Sequence, residues 1–289
     1  MTSGRPSTAR LHRRYPPALV ARLAWAMLHG RQRSFAPDAV RLYRTLRPAP
    51  QVQGIDHIPL SGSFVVVFNH YSSSSFPSWW GPIVMTALIG SRRPPGPQGI
   101  TWVMTGAWTY PDPLRQRVLT PLSQSVFSRL ARTYGFVAMP PMPPRPHEVE
   151  ARARAVRQVL GLARRETPPL IGISPEGHDS PGAALMVPPP GVGRFLLHLA
   201  AAGLPFLPVG LHERGDGLIV QFGPLFRLEP PVGLPREARD LWAGEQVMVA
   251  IGRLLPTPLW GAYGSILAQM LPTPPHAAAQ QSSEEHRTR

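Results

Sequence analysis

The chain has 289 residues, 43% of them hydrophobic and 16% charged, enough apolar side chain for one large domain or two small ones. All 30 basic residues are Arg and there is no Cys, which removes Schiff-base and P-loop lysine chemistry, thiol nucleophiles, Cys-ligated metal centres and disulfide frameworks. The formal charge of +14 is one-sided: residues 1–145 hold 17 Arg against three acids, whereas the rest holds 13 of each. Such an excess points to an anionic partner (a lipid surface, a nucleic acid or an acidic carrier) or to a solvated Arg-rich face.

Residues 1–17 (MTSGRPSTARLHRRYPP) are polar, basic and Pro-ended, and read as a disordered basic arm. No apolar core of secretory-signal length follows the arginines. Residues 18–50 read as an N-terminal amphipathic helical segment. Within it, residues 18–29 (ALVARLAWAMLH) are too short to span a bilayer but long enough to lie on one. Residues 51–271 form the main domain. A buried-type strand is predicted at 64–68 (FVVVF). The apolar run 76–90 (FPSWWGPIVMTALIG) ends at Arg92 and Arg93, and suits either a membrane interface or a helix buried against a sheet. Strands follow at 100–104 and 134–138. A helix is predicted at 148–165, where Val149, Ala153, Val156, Leu160 and Ala163 recur at helical spacing. Next come a strand at 170–174 (LIGIS), a helix at 192–202 ended by Gly203, and strands at 205–211 and 217–222 that form a hairpin. Residues 272–289 read as a disordered tail. No transmembrane helix is predicted. Continuous apolar strands alternating with amphipathic helices give an α/β fold, a central largely parallel sheet flanked by helices.

Chemistry is expected at the carboxyl ends of the strands. Asn69-His70 directly follows FVVVF, and imidazole is the side chain that exchanges protons near neutral pH. Pro175-Glu176-Gly177-His178 directly follows LIGIS, and its Pro-Glu-Gly turn holds a carboxylate at the same rim. His12, His276 and His286 fall in segments expected to be disordered, and His198 and His212 stand apart from other ligand types, so no metal-ligand pattern emerges. The serines at 72–75 lack the G-x-S-x-G elbow of a nucleophile.

These residues together resemble the glycerolipid acyltransferase family, of the lysophosphatidate acyltransferase type, over roughly residues 54–213. Residues 54–69 (GIDHIPLSGSFVVVFN) look like the family's lead-in of a Gly, an Ile-Pro and a hydrophobic strand, and Asn69-His70 looks like the start of its N-H-x4-D block. Residues 134–137 (YGFV) stand where its second block falls. Residues 173–177 (ISPEG), with Ser180, match its F-P-E-G-T-R-S block, and residues 206–210 (FLPVG) its strand with a central Pro-Val. The resemblance implies a glycerolipid-acyltransferase-like fold and a role in phospholipid biosynthesis. It implies acyl transfer from acyl-CoA or an acyl carrier protein, a co-substrate rather than a bound cofactor, to a lipid hydroxyl. It also implies peripheral attachment to an anionic membrane surface on the cytoplasmic side. It makes His70, Ser75 and Glu176 the catalytic candidates, and Asn69, Pro175, Gly177, His178, Asp179 and Arg145 the substrate-binding ones.

Three departures shape the expectation. Ser75 stands where the family has its Asp; a hydroxyl can orient an imidazole but supplies no charge, leaving Asp179 and Glu176 as replacements. Asp179 stands where the E-G-T-R block has its Arg, which argues for an acceptor without a terminal phosphate unless Arg145 or Arg194 compensates. The second block ends without its usual cation. A catalytically silent lipid-binding relative is the alternative reading. A nucleic-acid partner is disfavoured, because the Arg are scattered and no stacking-aromatic motif accompanies them.

Overall fold

The computed structural model describes residues 11–93, 99–110, 112–142 and 145–271. Two N-terminal helices, α1 (Pro17–Leu28) and α2 (Phe35–Tyr43), lead into β1 (Gln51–Gln53), β2 (Val65–Phe68), α3 (Trp80–Arg92), β3 (Ile100–Thr105) and α4 (Pro113–Tyr134). Next come β4 (Val137–Met139), α5 (Val149–Ala163), β5 (Leu170–Ile173), α6 (Val192–Ala201), β6 (Phe206–Arg214), β7 (Gly217–Phe222), α7 (Arg236–Gly252) and α8 (Gly264–Gln269). The seven strands form one sheet in the order β1-β7-β6-β2-β5-β3-β4. The run from β6 to β4 is parallel; β7 turns back against β6, and β1 runs parallel to β7. The fold is therefore α/β with a largely parallel sheet.

Every residue of β2 and β5 is buried, as strands covered by helices on both faces require. Alternation sends Val66 and Phe68 into a core shared with α2 and α3, and Val65 and Val67 into a second core shared with α5, α6 and α7. Close packing behind the site depends on Gly172 in β5. A Cβ there would meet the Trp102 ring at 2.1 Å. Trp102 lies edge-on to Phe68 and donates to Thr86 Oγ1 at 3.0 Å, tying β3 to α3.

The structure differs from the expectations in several places. Residues 11–16 are not a free arm: Leu11 is buried, and His12 and Arg47 exchange backbone hydrogen bonds at 2.7 and 2.9 Å. Residues 1–10 and 272–289 lie outside the described residues. Residues 76–90 contain a core helix, since nine residues of α3 are buried, while Trp79 at its start is exposed. Arg93 donates to the carbonyls of Pro59, Ser61 and Gly62 and covers the Phe64 ring, so its charge is held by protein. The strand expected at 134–138 starts only at Val137, because α4 runs through to Tyr134. Among the described residues no helix is long and apolar enough to cross a membrane.

Candidate active site

The sheet register puts two turns side by side. Val67 of β2 faces Ile173 of β5, and three residues further along each chain stand His70 and Glu176. Asn69 fixes how β2 ends. Its buried amide donates to the Leu211 carbonyl and accepts from the Leu211 N–H, each at 2.8 Å, so the side chain continues the pairing with β6. With that exit fixed, His70 turns out over the rim.

Glu176 fixes the same corner from the other side. Only 2% exposed, it accepts the His70 backbone N–H at 2.7 Å on Oε2 and the Met186 N–H at 2.9 Å on Oε1. Burial pushes its carboxyl above the ordinary value, while the two backbone donors pull it back. Gly177 completes the turn in the left-handed conformation (φ 71°), with its N–H on the Ser174 carbonyl at 3.2 Å. His178 Nδ1 lies 2.8 Å from the Glu176 carbonyl, which can only accept, so Nδ1 carries the proton.

One residue further on, Asp179 Oδ1 lies 2.8 Å from His70 Nδ1. The hydrogen bond from His70 is the main reason the Asp179 carboxyl is held below the usual carboxylate value; partial burial opposes it, and Ser78 and His178 assist. The His70 side chain is 24% exposed and that of Asp179 57%, so the pair sits at the surface. A carboxylate accepts only, so Nδ1–H donates and Nε2 keeps its lone pair.

The other candidates are placed differently. Ser75 does not orient His70; its hydroxyl donates to Glu213 Oε1 and pairs with Ser73 Oγ at 3.1 Å. Glu213 Oε2 also accepts from the Tyr71 hydroxyl at 3.1 Å, and burial pushes that phenol up to about 12. Arg13 donates to the Ser75 carbonyl. Glu176 touches the His70 backbone, not its ring, so its assignment as a catalytic group is corrected to a positioning one. Asn69 likewise spends its amide on Leu211. Arg145 follows the edge strand β4, with β3 between it and β5, and its N–H meets Glu148 Oε2 at 3.3 Å. Two surface hollows, of about 560 and 210 Å³, include neither His70 nor the 174–180 turn. Asp179 was legible as a candidate near His70. Glu213 was missed, because sequence spacing alone gives no sign that β6 delivers an acid to the loop after β2.

No protein-family model matches the chain, and no curated protein does. Among solved structures, the chain is similar to the 1-acyl-sn-glycerophosphate acyltransferase PlsC from Thermotoga maritima. That match covers 79% of this chain and 78% of that one, at 15% identity and a TM-score of 0.46. A likeness so loose carries no weight for the chemistry, and the α/β class stands on the strand order itself.

Proposed function

We propose that the protein is an acyltransferase that moves an acyl group from a thioester donor to a lipid hydroxyl. The observation that carries this reading is the 2.8 Å contact between His70 Nδ1 and Asp179 at the carboxyl ends of β2 and β5. An acceptor alcohol bound at Nε2 gives its proton to the imidazole as its oxygen attacks the thioester carbonyl. The new C–O bond forms, the tetrahedral adduct collapses, the C–S bond breaks, and the imidazolium returns the proton to the departing thiolate. Ionised Asp179 holds the tautomer and stabilises the imidazolium, the part played by the acid in Ser-His-Asp systems. No covalent enzyme intermediate is needed, so the route is open to a chain without Cys.

The acceptor is an alcohol without a terminal phosphate. A carboxylate stands beside the base, at the position where the resembled block has its Arg. A phosphate monoester would meet repulsion where it needs fixed guanidinium donors.

The test measures acyl product from acyl-CoA and from acyl carrier protein, with monoacylglycerol and with lysophosphatidate as acceptors. Wild type should acylate the neutral acceptor faster, and His70→Ala should lower that rate by about 10²–10⁴. Equal rates for wild type and His70→Ala would favour a non-catalytic lipid-binding protein. Equal rates on the two acceptors would remove the acceptor assignment alone.

A further inference from the structure

Helix α4 is built inside out. Asp112 caps it, accepting the Arg115 N–H at 2.7 Å, and Pro113 opens its first turn. Through its first three turns the side turned to the protein is largely polar. Gln116 Oε1 accepts the Tyr110 N–H at 2.8 Å, and Ser123 Oγ accepts the Trp108 N–H at 3.0 Å. Of its 22 residues only Ser123, Ala131 and Thr133 are buried. The apolar side chains point outward: Leu114, Val118, Leu122 and Val126, spaced by four, are 72%, 58%, 60% and 43% exposed. A soluble helix places that stripe against its own core.

Charge limits what covers the stripe. Arg115, Arg117, Arg129 and Arg132 are exposed, none is ion-paired among the described residues, and the helix contains no acid. In a two-fold dimer the same face would meet itself and set Arg against Arg. Neutral lipid would leave the four charges unmatched. An anionic bilayer accepts both parts: leucines and valines enter the acyl boundary, and guanidinium groups meet lipid phosphate.

The stripe is also tied to the site. Exposed Trp108 packs edge-on against Phe127 of α4, with ring centroids 5.0 Å apart, and lies 6.4 Å from exposed Trp79. Trp79 ends the loop that begins at His70, and its indole N–H donates to the Tyr15 hydroxyl at 3.0 Å. Such amphipathic rings are favoured at the headgroup level of a membrane.

We infer that α4 is the face by which this protein lies on an anionic membrane, with the Trp79–Trp108 pair holding the His70 rim at the lipid surface. Docking itself is independent of the acyltransferase reading; only the delivery of lipid acceptor to His70 rests on it. The full chain is sedimented with phosphatidylcholine vesicles made with and without phosphatidylglycerol. Wild type should bind the anionic vesicles. L114S/V118S/L122S should bind about tenfold more weakly or worse, with an unchanged thermal midpoint and unchanged transfer to a water-soluble short-chain alcohol. R115Q/R117Q/R129Q should lose the preference for phosphatidylglycerol. Wild type left in the supernatant, or a triple-Ser variant that sediments like wild type, would overturn the proposal. So would a solution dimer that the triple-Ser variant converts to monomer. Vesicle binding is read without turnover, so failure of the acyl-transfer chemistry and failure of the docking face are separate results.

Discussion

The two corners that flank β2 use carboxylates in opposite ways. On the β6 side, Glu213 is surrounded by the hydroxyls of Tyr71 and Ser75 and holds the loop after His70 in place. On the β5 side the work is divided between neighbours in one turn. Buried Glu176 binds backbone N–H groups, and exposed Asp179 binds the His70 ring. What a carboxylate does here follows from what it faces: a backbone donor makes it a bracket, and an imidazole makes it the group that fixes the ring's tautomer.

The sharpest way to break that division is Glu176→Ala, which strands two N–H groups at a corner where the bracket is 2% exposed. At ~1–3 kcal/mol for each unsatisfied buried donor, the variant should lose about 2–6 kcal/mol of stability, read as a fall in the urea midpoint. Activity would then be lost with the fold. A midpoint like that of wild type would show that Glu176 brackets nothing.

Of the two carboxylates at this corner, only the exposed one should cost stability when acid protonates it. Asp179 is held below its unfolded value, so its contribution to stability is present above that value and is lost as the pH falls through the lower folded one. Glu176 has the reverse sign: its raised folded value means that ionisation costs stability as pH rises, so its protonation cannot account for an acid loss. Acid titration of wild type against Asp179→Asn should therefore show a loss of stability that the variant lacks. Matching curves would contradict the pairing.

A smaller effect is expected from restoring the resembled motif. Ser75→Asp puts a second carboxylate against Glu213, and like charges at that range raise one of the two carboxyls. The variant should unfold at lower urea than wild type by about 1 kcal/mol at neutral pH, and Glu213→Gln in the same chain should recover most of it. A stable, more active Ser75→Asp would mean that the loop after β2 can still offer its acid to His70.

The sheet was readable because its central strands are continuous β-branched or apolar runs and because β6 and β7 are separated by a short turn, so helix-covered strands and a hairpin follow from local pattern. The rim position of His70 and Glu176 followed from their places just past FVVVF and LIGIS. The roles did not. Whether Glu176 or Asp179 reaches the ring depends on the left-handed turn at Gly177, and Ser75 is claimed by an acid 138 residues away. Helix α4 escaped notice for a different reason. Its apolar residues at 114, 118, 122 and 126 face out and its first inward turns are polar, so a search for a core-facing stripe finds none. The Arg excess of the first half was visible, but not that four of those residues flank this stripe.

The central claim, that the turn after β5 supplies the acid for the histidine after β2, is tested most directly by comparing two conservative variants in single-turnover transfer from acyl-CoA to monoacylglycerol. Asp179→Asn should lower the rate about 10²-fold or more, less than the ~10⁴ seen where such an acid is buried, while Ser75→Ala should stay within about threefold of wild type. The reverse order, with Ser75→Ala crippled and Asp179→Asn active, would return the role to the loop and contradict the account.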